Sequence, residues 1–319
     1  MKVGVGIGGA AVAYYVAHLE QVPETGRWRF INVGPAVEAQ LGDATRQSMY
    51  EQYKGQIVPP SHPISVHVRR VVTQILSANN LGVVKGHTPV VRSPIDDLWD
   101  PDTSTDFSRS DADLGGQREW EVIVINDKKM VNAAALPGTI LVFTGILPVC
   151  KDDQGLAAVL SHEIAHVVAR HTAERVSSQA IAIAFMIVLA ASGLDLGISH
   201  ILHSLLLDLP NSRTQELEAD AIGLRLMSKA CYDPKFAPEM FSRLAQLEAS
   251  SGMRVPKFIS THPTSESRVK YLEEMLPEAY NIVASNPDCA RIQDQATAFR
   301  DLARMKSMGG LAGFVEDHW

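Results

Sequence analysis

The clearest pattern along the chain is the helical spacing of apolar residues within residues 156–176. Four of them recur three or four positions apart and would form one stripe: Leu156, Leu160, Ile164 and Val167. Neither Pro nor Gly interrupts this stretch, and Asp153 is the predicted N-cap. We therefore expect one continuous helix with its apolar face in the core.

A second helix is predicted over residues 211–230. Asn211 and Ser212 supply capping side chains before it, and Pro234 lies beyond its end. Within this helix Glu216 and Asp220 are four positions apart, so their carboxylates share one face.

Between residues 120 and 147 the apolar residues cluster in short segments instead. EVIVIN, MVNAAAL and GTILVFTGIL are separated by turn residues, which predicts a small antiparallel sheet. Together with the helices this gives an α+β fold that is mostly α, with the sheet beside the first helix.

Two further stretches are apolar enough to associate with a membrane. Residues 1–20 are predicted to form a membrane anchor, truncated at its start. Residues 178–209 form an apolar insertion between the two helices, and the part from 180 to 198 has the length of a span. A second span, a hairpin dipping into one leaflet and a buried lid all remain open; we favour packing at the membrane.

Composition narrows the class of partner. Hydrophobic residues make up 46% of the chain and charged residues 20%, which is normal for a folded protein. The net charge of −7 argues against nucleic acid as a partner. Residues 93–116 are acidic and rich in Ser and Asp, and they predict a loop.

The cysteines Cys150, Cys231 and Cys289 lack the spacing of a cysteine metal site. In an oxidising compartment Cys231 and Cys289 could form a disulfide. Three free thiols remain an equal alternative.

The polar side of the first predicted helix carries the pattern HExxH, formed by His162, Glu163 and His166. Residues four apart on a helix can aim two imidazoles at one point, and neutral imidazoles suit Zn²⁺. Glu163 could take a proton from an attacking water and later pass it to the leaving amine. The pattern therefore predicts a zinc site with Glu163 as general base.

The third zinc ligand is predicted on the second helix. The metzincin pattern is excluded, because Ala169 and Thr172 occupy the positions where that class has Gly and His. His171 is off by one position and is expected to face elsewhere. We therefore prefer Glu216 as the ligand and Asp220 as the acceptor that fixes the tautomer of a ligand imidazole.

Glu218 is the third acid within this turn of the second helix. Two helical positions rotate by about 200°, so Glu218 is expected to point away from the metal and to be dispensable for it.

Three strings in order, HEIAH, SRTQELEAD and THPTSESR, resemble the HtpX and CAAX prenyl-protease family of membrane-linked gluzincins. The strings ETGRWRFINV, HPISVHVRRV and NAAALPGTILVFTGIL are similar to the mitochondrial inner-membrane metalloendopeptidases of that family. The resemblance runs from about residue 24 to about residue 280.

The resemblance implies further site residues. His262 and Arg268 would line the site, with His262 donating to the developing oxyanion and Arg268 ordering the acids. Arg213 would support the ligands or bind substrate. An edge strand beside the zinc would pair with the peptide substrate, and we expect this edge at residues 139–144.

The resemblance also implies the organisation and the setting. The expected parts are an anchor at 1–20, a juxtamembrane segment at 21–60, a zinc metallopeptidase domain at 61–280, and a C-terminal helix and tail at 281–319. The expected function is hydrolysis of peptide bonds in membrane proteins during mitochondrial quality control. The catalytic domain would lie on the inner membrane and face the intermembrane space, with protein substrates and the lipid bilayer as partners.

Several alternatives stay open. One is a bacterial periplasmic protease or chaperone of the same family. The others are a catalytically inactive membrane scaffold and a membrane-tethered adaptor without metal. A homo-oligomer is neither indicated nor excluded by the sequence.

Overall fold

A computed structural model of the chain describes residues 2–86, 118–191, 212–250, 257–263 and 265–291. Three predicted features lie outside the described residues: the acidic loop at 93–116, the insertion from 192 to 209 and the tail from 292 onward.

Helices dominate the described residues, as the sequence predicts. They are α1 (Lys2–Ala17), α2 (Pro35–Gln52), α3 (Pro63–Ala78), α4 (Leu147–Cys150), α5 (Asp153–Val168), α6 (His171–Ala191), α7 (Arg213–Lys229), α8 (Phe236–Ser250), α9 (Lys257–Thr261) and α10 (Glu266–Ser285). The strands are β1 (Leu19–Gln21), β2 (Trp28–Phe30), β3 (Val83–Val84), β4 (Glu119–Ile125), β5 (Ala133–Leu136) and β6 (Thr139–Phe143).

The predicted caps are correct to within one residue. Asp152, rather than Asp153, caps α5 by accepting from the backbone N–H of Gly155. Ser212 caps α7 in a capping box with Gln215, which fixes the first turn of the helix that carries Glu216.

The main sheet is mixed, so the prediction of an antiparallel sheet is wrong in part. Its strand order is β3-β4-β6-β5, with β3, β4 and β6 parallel and only β5 antiparallel to its neighbour β6. After β4 the chain passes over one strand position and returns through a tight turn at Gly138 (φ +77°). Strand β6 therefore occupies the centre.

The predicted substrate edge at residues 139–144 is wrong for the same reason. Strand β6 pairs with β4 on one side and β5 on the other, and all five of its residues are buried. Such uninterrupted apolar runs fit a strand covered on both faces. The edge strand beside α5 is β5, and three of its four residues are partly exposed.

Helices cover both faces of this sheet. Val122, Val124, Ile140 and Val142 face the large core shared with α3, α5, α7 and α8. The alternate residues face the other side of the sheet: Ile123, Ile125, Leu141 and Phe143. They form a smaller cluster with Met49 of α2 and with Tyr53 at the C-terminal end of that helix. The alternation is that of a pleated strand, and α5 lies against β5.

The predicted continuous helix over residues 156–176 divides into α5 and α6. Arg170, between them, adopts a left-handed backbone conformation with φ of 51°. Such a conformation costs about 1–3 kcal/mol at a residue other than glycine. The Arg170 guanidinium offsets part of this cost by binding the carboxylates of Glu20 and Glu38 and the carbonyl of Val33.

A hairpin formed by β1 and β2 lies against the junction of α5 and α6. Arg29 donates to the carbonyl of Ala169 and binds Glu20, and the backbone N–H of Asn32 donates to Ser177. The segment predicted as juxtamembrane thus contacts the helices that carry the metal-ligand candidates.

Cys231 and Cys289 form a disulfide, which decides between the two alternatives left open by the sequence. It ties the chain after α10 to the end of α7. Cys150 is a buried thiol.

Among the helices of the described residues, none combines the length and the apolar character needed to cross a membrane. The described part of the predicted insertion, up to residue 191, belongs to α6.

Helices α5 and α7 are in close contact where Gly223 faces His162. A methyl group added at Gly223 would lie 3.0 Å from both the backbone nitrogen and the Cα of His162. The absence of a side chain at this position lets the two ligand-bearing helices approach.

Gly223→Ala should therefore destabilise the protein, although alanine favours helices. Overpacking costs about 1–3 kcal/mol, whereas alanine gains only about 1 kcal/mol over glycine within a helix. Chemical denaturation measures the change in unfolding free energy. Gly9→Ala, within α1, is the matched control, because nothing lies within 4 Å of a methyl group added there. An unchanged denaturation midpoint for Gly223→Ala would contradict the close packing.

Candidate metal centre

Helix α5 brings His162, Glu163 and His166 into one buried region, as the spacing predicts. The Nε2 atoms of His162 and His166 are 3.2 Å apart. The helix that carries them packs against β5 and α7.

Helix α7 brings the predicted third ligand to the same point. The carboxylate oxygens of Glu216 lie 3.5 Å from His162 Nε2 and 3.5 Å from His166 Nε2. Glu216 is buried, and the capping box at Ser212 orders the turn from which it projects.

A fourth donor comes from His262, which follows α9. Its Nδ1 atom lies 3.0 Å from Glu216 Oε1 and 3.4 Å from His162 Nε2. His162, His166, Glu216 and His262 thus form one buried group of metal-ligand atoms, all within 4.8 Å of one another.

The spacing of this group fits zinc. In a tetrahedral site with ligands about 2.0–2.2 Å from the metal, neighbouring ligand atoms lie roughly 3.3–3.6 Å apart. The distances among His162, His166 and Glu216 run from 3.2 to 3.5 Å. Imidazole nitrogens and a carboxylate oxygen are also the donors that zinc prefers.

The charges of the cluster support the same conclusion. Burial alone would lower the pKa of His162, but Asp220 and Glu216 outweigh it and raise that pKa to about 9. Burial, followed by the neighbouring His162 and His262, lowers the pKa of His166 well below its usual value. The neighbouring acids thus favour positive charge at His162, whereas burial and the neighbouring imidazoles disfavour a proton on His166.

The electrostatics of Glu216 follow from the same neighbours. Burial would raise its pKa, but hydrogen bonds with His162 and His262 outweigh burial and lower it. Glu216 is accordingly held as the carboxylate that a metal ligand must be.

Asp220 and Arg268 support the ligands from behind. Asp220 Oδ1 lies 3.0 Å from His162 Nδ1, where it can fix the ring so that Nε2 faces the metal. Arg268 donates to both oxygens of Asp220 at 2.7 Å and lies 2.8 Å from Glu216. It also packs over the ring of Phe241. Both residues lie beside the metal-ligand group, and their supporting roles stay predictions.

Glu163 is buried beside the metal-ligand group. Burial raises the pKa of Glu163, and His262, His162 and a backbone hydrogen bond at Ala135 offset this only in part. Its Oε1 atom has no hydrogen-bond partner among the described residues, although His262 Nε2 lies 3.4 Å away. This oxygen is free to accept a proton beside β5.

Two further predictions meet different outcomes. Arg213 is exposed on the first turn of α7, three residues before Glu216, and its role stays a prediction. The expectation that His171 does not face the metal is confirmed, because His171 lies outside the metal-ligand group. Its ring instead bonds to the Nδ1 side of His166, a contact that the sequence did not predict and that follows the break between α5 and α6 at Arg170.

Glu218 points away from the metal cluster, as helical rotation predicts. It bonds instead to His171, Arg27 and Thr25. Sequence reasoning assigned no role to Thr25 or Arg27; their only signal was their place in ETGRWRFINV.

Exchanging the acids of α7 should separate their roles. Glu216→Gln should lose most of its zinc, because a neutral amide replaces a carboxylate ligand. Asp220→Asn should weaken zinc binding by about ten- to a hundredfold, the usual cost of losing a partner of a ligand histidine. Zinc content after dialysis against a series of chelators measures both. Glu239→Gln, the same change at an exposed site, is the control; full zinc retention by Glu216→Gln would contradict the ligand assignment.

Comparison with known proteins agrees with this geometry. The mitochondrial metalloendopeptidase OMA1 of Schizosaccharomyces pombe is 37% identical over 279 residues, which cover 86% of this chain and 72% of that protein. The protein of the same name from Saccharomyces cerevisiae is 33% identical over 302 residues, covering 92% of this chain and 78% of its own length. A putative beta-barrel assembly-enhancing protease of Vibrio cholerae is 27% identical over 198 residues, covering 59% of this chain and 40% of that protein.

A sequence profile described as peptidase family M48 matches residues 106–276, which is more than half of the chain and includes every residue of the metal-ligand group. The chain therefore belongs to peptidase family M48.

Proposed function

We propose that this zinc-dependent peptidase cleaves membrane proteins at the mitochondrial inner membrane, with its catalytic site facing the intermembrane space. The chain is a metalloendopeptidase, that is, a peptide-bond hydrolase. The observation that carries the proposal is the convergence of His162, His166 and Glu216 on one point beside Glu163.

The residues of the site have distinct roles in this proposal. His162, His166 and Glu216 hold the zinc, which supplies Lewis acidity toward a carbonyl and toward water when bound. Glu163 accepts the proton of the attacking water through its unpartnered oxygen and then delivers it to the leaving amine. His262, within reach of both Glu163 and Glu216, would donate to the oxyanion that develops as water adds to the carbonyl.

The peptide is proposed to bind along β5. This strand is the edge of the sheet, it lies against α5, and Ala135 within it contacts Glu163. Backbone hydrogen bonds to an edge strand hold a peptide extended while demanding little of its sequence. Such binding suits an endopeptidase with varied substrates.

Two observations support the proposed setting. The disulfide between Cys231 and Cys289 is favoured in an oxidising space. Apolar side chains are exposed on α1 and α6, among them Val12, Val16, Ile183 and Ile187, and exposed apolar patches are typical of membrane or partner contacts.

The alternatives are less favoured. The mitochondrial relatives match more of the chain, and at higher identity, than the bacterial relative from Vibrio cholerae does. An inactive scaffold would not require a buried Glu163 with an oxygen aimed at the metal-ligand group.

Glu163→Gln should keep zinc and lose peptide cleavage. The residue is not a ligand in this scheme, and removing a general base typically costs a factor of about a hundred to ten thousand in rate. Zinc content and cleavage of a fluorescently labelled unfolded protein are measured on one preparation, with Glu239→Gln as control. Near-normal turnover by the Glu163 variant would overturn the mechanism.

Replacing Ile183 and Ile187 together with Asn should weaken membrane binding. These residues lie four apart on α6 and are 45% and 64% exposed, and burial of such apolar surface drives interfacial association. Flotation of the full chain with cardiolipin-containing vesicles measures the effect. Val37 and Leu41, also four apart and 47% and 38% exposed on α2, receive the same change as control. Equal flotation of the two double variants would contradict a membrane contact at α6.

A further inference from the structure

The two proposed ligand histidines, His162 and His166, contact different residues on the side away from the metal-ligand group. Behind His162 lies the carboxylate of Asp220, in direct contact with the ring. Behind His166 lies another ring, that of His171, whose Nδ1 atom is 2.8 Å from His166 Nδ1. The Nε2 atom of His171 is in turn 3.0 Å from Glu218 Oε2. All these side chains are buried.

The order of donors and acceptors along this chain of contacts is fixed by its end. The carboxylate of Glu218 only accepts, so His171 Nε2 must carry the proton that it donates. In a neutral ring the Nδ1 atom of His171 is then an acceptor. Its neighbour, His166 Nδ1, must therefore donate, which leaves the lone pair of His166 Nε2 facing the metal-ligand group.

This geometry excludes His171 as a ligand itself. Its Nδ1 atom meets the Nδ1 side of His166, whereas the metal-ligand group is formed on the Nε2 side. His171 accordingly acts on His166 and not on the metal.

The acid at the end of the chain is held by the N-terminal hairpin. Arg27 donates to Glu218 Oε2 at 2.7 Å, and the hydroxyl of Thr25 donates to Oε1. Arg27 also binds both oxygens of Glu174 at 2.7 Å. Glu218 is therefore held from two sides in the position where it accepts from His171.

We propose that His171 and Glu218 are positioning residues for the zinc ligand His166, and that Thr25 and Arg27 of the β1–β2 hairpin hold them in register. The inference rests on the proposed function, because it assumes zinc at His162, His166 and Glu216. It assigns the hairpin a part in metal binding, although the hairpin lies outside the HExxH helix and supplies no ligand. It also reverses the expectation from helical rotation that Glu218 is dispensable for zinc.

Two substitutions at His171 test the inference. His171→Leu removes the acceptor for His166 Nδ1, and the zinc dissociation constant should rise by about ten- to a hundredfold. His171→Asn offers an amide oxygen near the position of Nδ1 and should stay close to wild type. Competition with a fluorescent zinc chelator measures the constants, and chemical denaturation of the zinc-free proteins measures their stability.

A merely structural role predicts the opposite order. Leucine suits a buried position better than asparagine, whose amide costs free energy there unless it is hydrogen-bonded. If His171 only filled space, His171→Leu would bind zinc at least as well as His171→Asn. That result, or equal affinity of the two variants, would overturn the proposal.

The hairpin supplies a second and milder test. Arg27→Met removes the guanidinium from Glu218 and should weaken zinc binding several-fold. Arg46→Met is the control, because Arg46 also binds two carboxylates, Asp43 and Glu121, but neither of these acids contacts a ligand histidine or His171. Equal zinc affinity of the two arginine variants would contradict a part for the hairpin in zinc binding. If His171→Leu does not fold, this comparison of the arginine variants still tests the proposal.

The outcomes separate the inference from the function on which it rests. A wild-type chain that fails to bind zinc would contradict the proposed function. A wild-type chain that binds zinc, with His171→Leu and Arg27→Met binding equally well, would leave the function standing and overturn the inference alone.

Discussion

The structure depends on burying four carboxylates between and around two closely packed helices. These acids are Glu163, Glu216, Glu218 and Asp220, and each is buried. A buried carboxylate is strongly destabilising unless a cation or several donors compensate it. The partners of these acids come from many parts of the fold: imidazoles from α5, α6 and the end of α9, Arg268 from α10, and Arg27 from the hairpin. The need to compensate this charge explains why distant segments meet at α7.

The same constraint links stability to function. Arg268 forms ion pairs with both Asp220 and Glu216. The residue that compensates the buried negative charge therefore also fixes the positions of these side chains. Glu163 is the exception, since one of its oxygens has no hydrogen-bond partner among the described residues. A buried carboxylate oxygen without a hydrogen-bond partner calls for an explanation, and a role in catalysis is one such explanation. Ion pairs thus hold the acids that bind or support the ligands, whereas the proposed base keeps one oxygen without a hydrogen-bond partner.

Local patterns in the sequence predict the parts of this arrangement that local geometry controls. The HExxH spacing places His162 and His166 on one face, and the four-residue spacing of Glu216 and Asp220 does the same on α7. Capping chemistry locates the beginnings of both helices. Long-range features cannot be predicted from local patterns. No residue pattern between β4 and β5 indicates that the chain passes over one strand position. The left-handed conformation of Arg170 is likewise set by contacts with Glu20 and Glu38, far along the chain, and it brings His171 to His166.

The central claim is that two histidines of α5 and Glu216 of α7 bind one zinc ion. X-ray absorption spectroscopy of the zinc-loaded chain reports the ligand atoms directly. The account predicts one zinc per chain, with imidazole scattering and nitrogen or oxygen ligands at about 2.0–2.2 Å. A sulfur ligand at about 2.3 Å, or a spectrum without imidazole scattering, would contradict it.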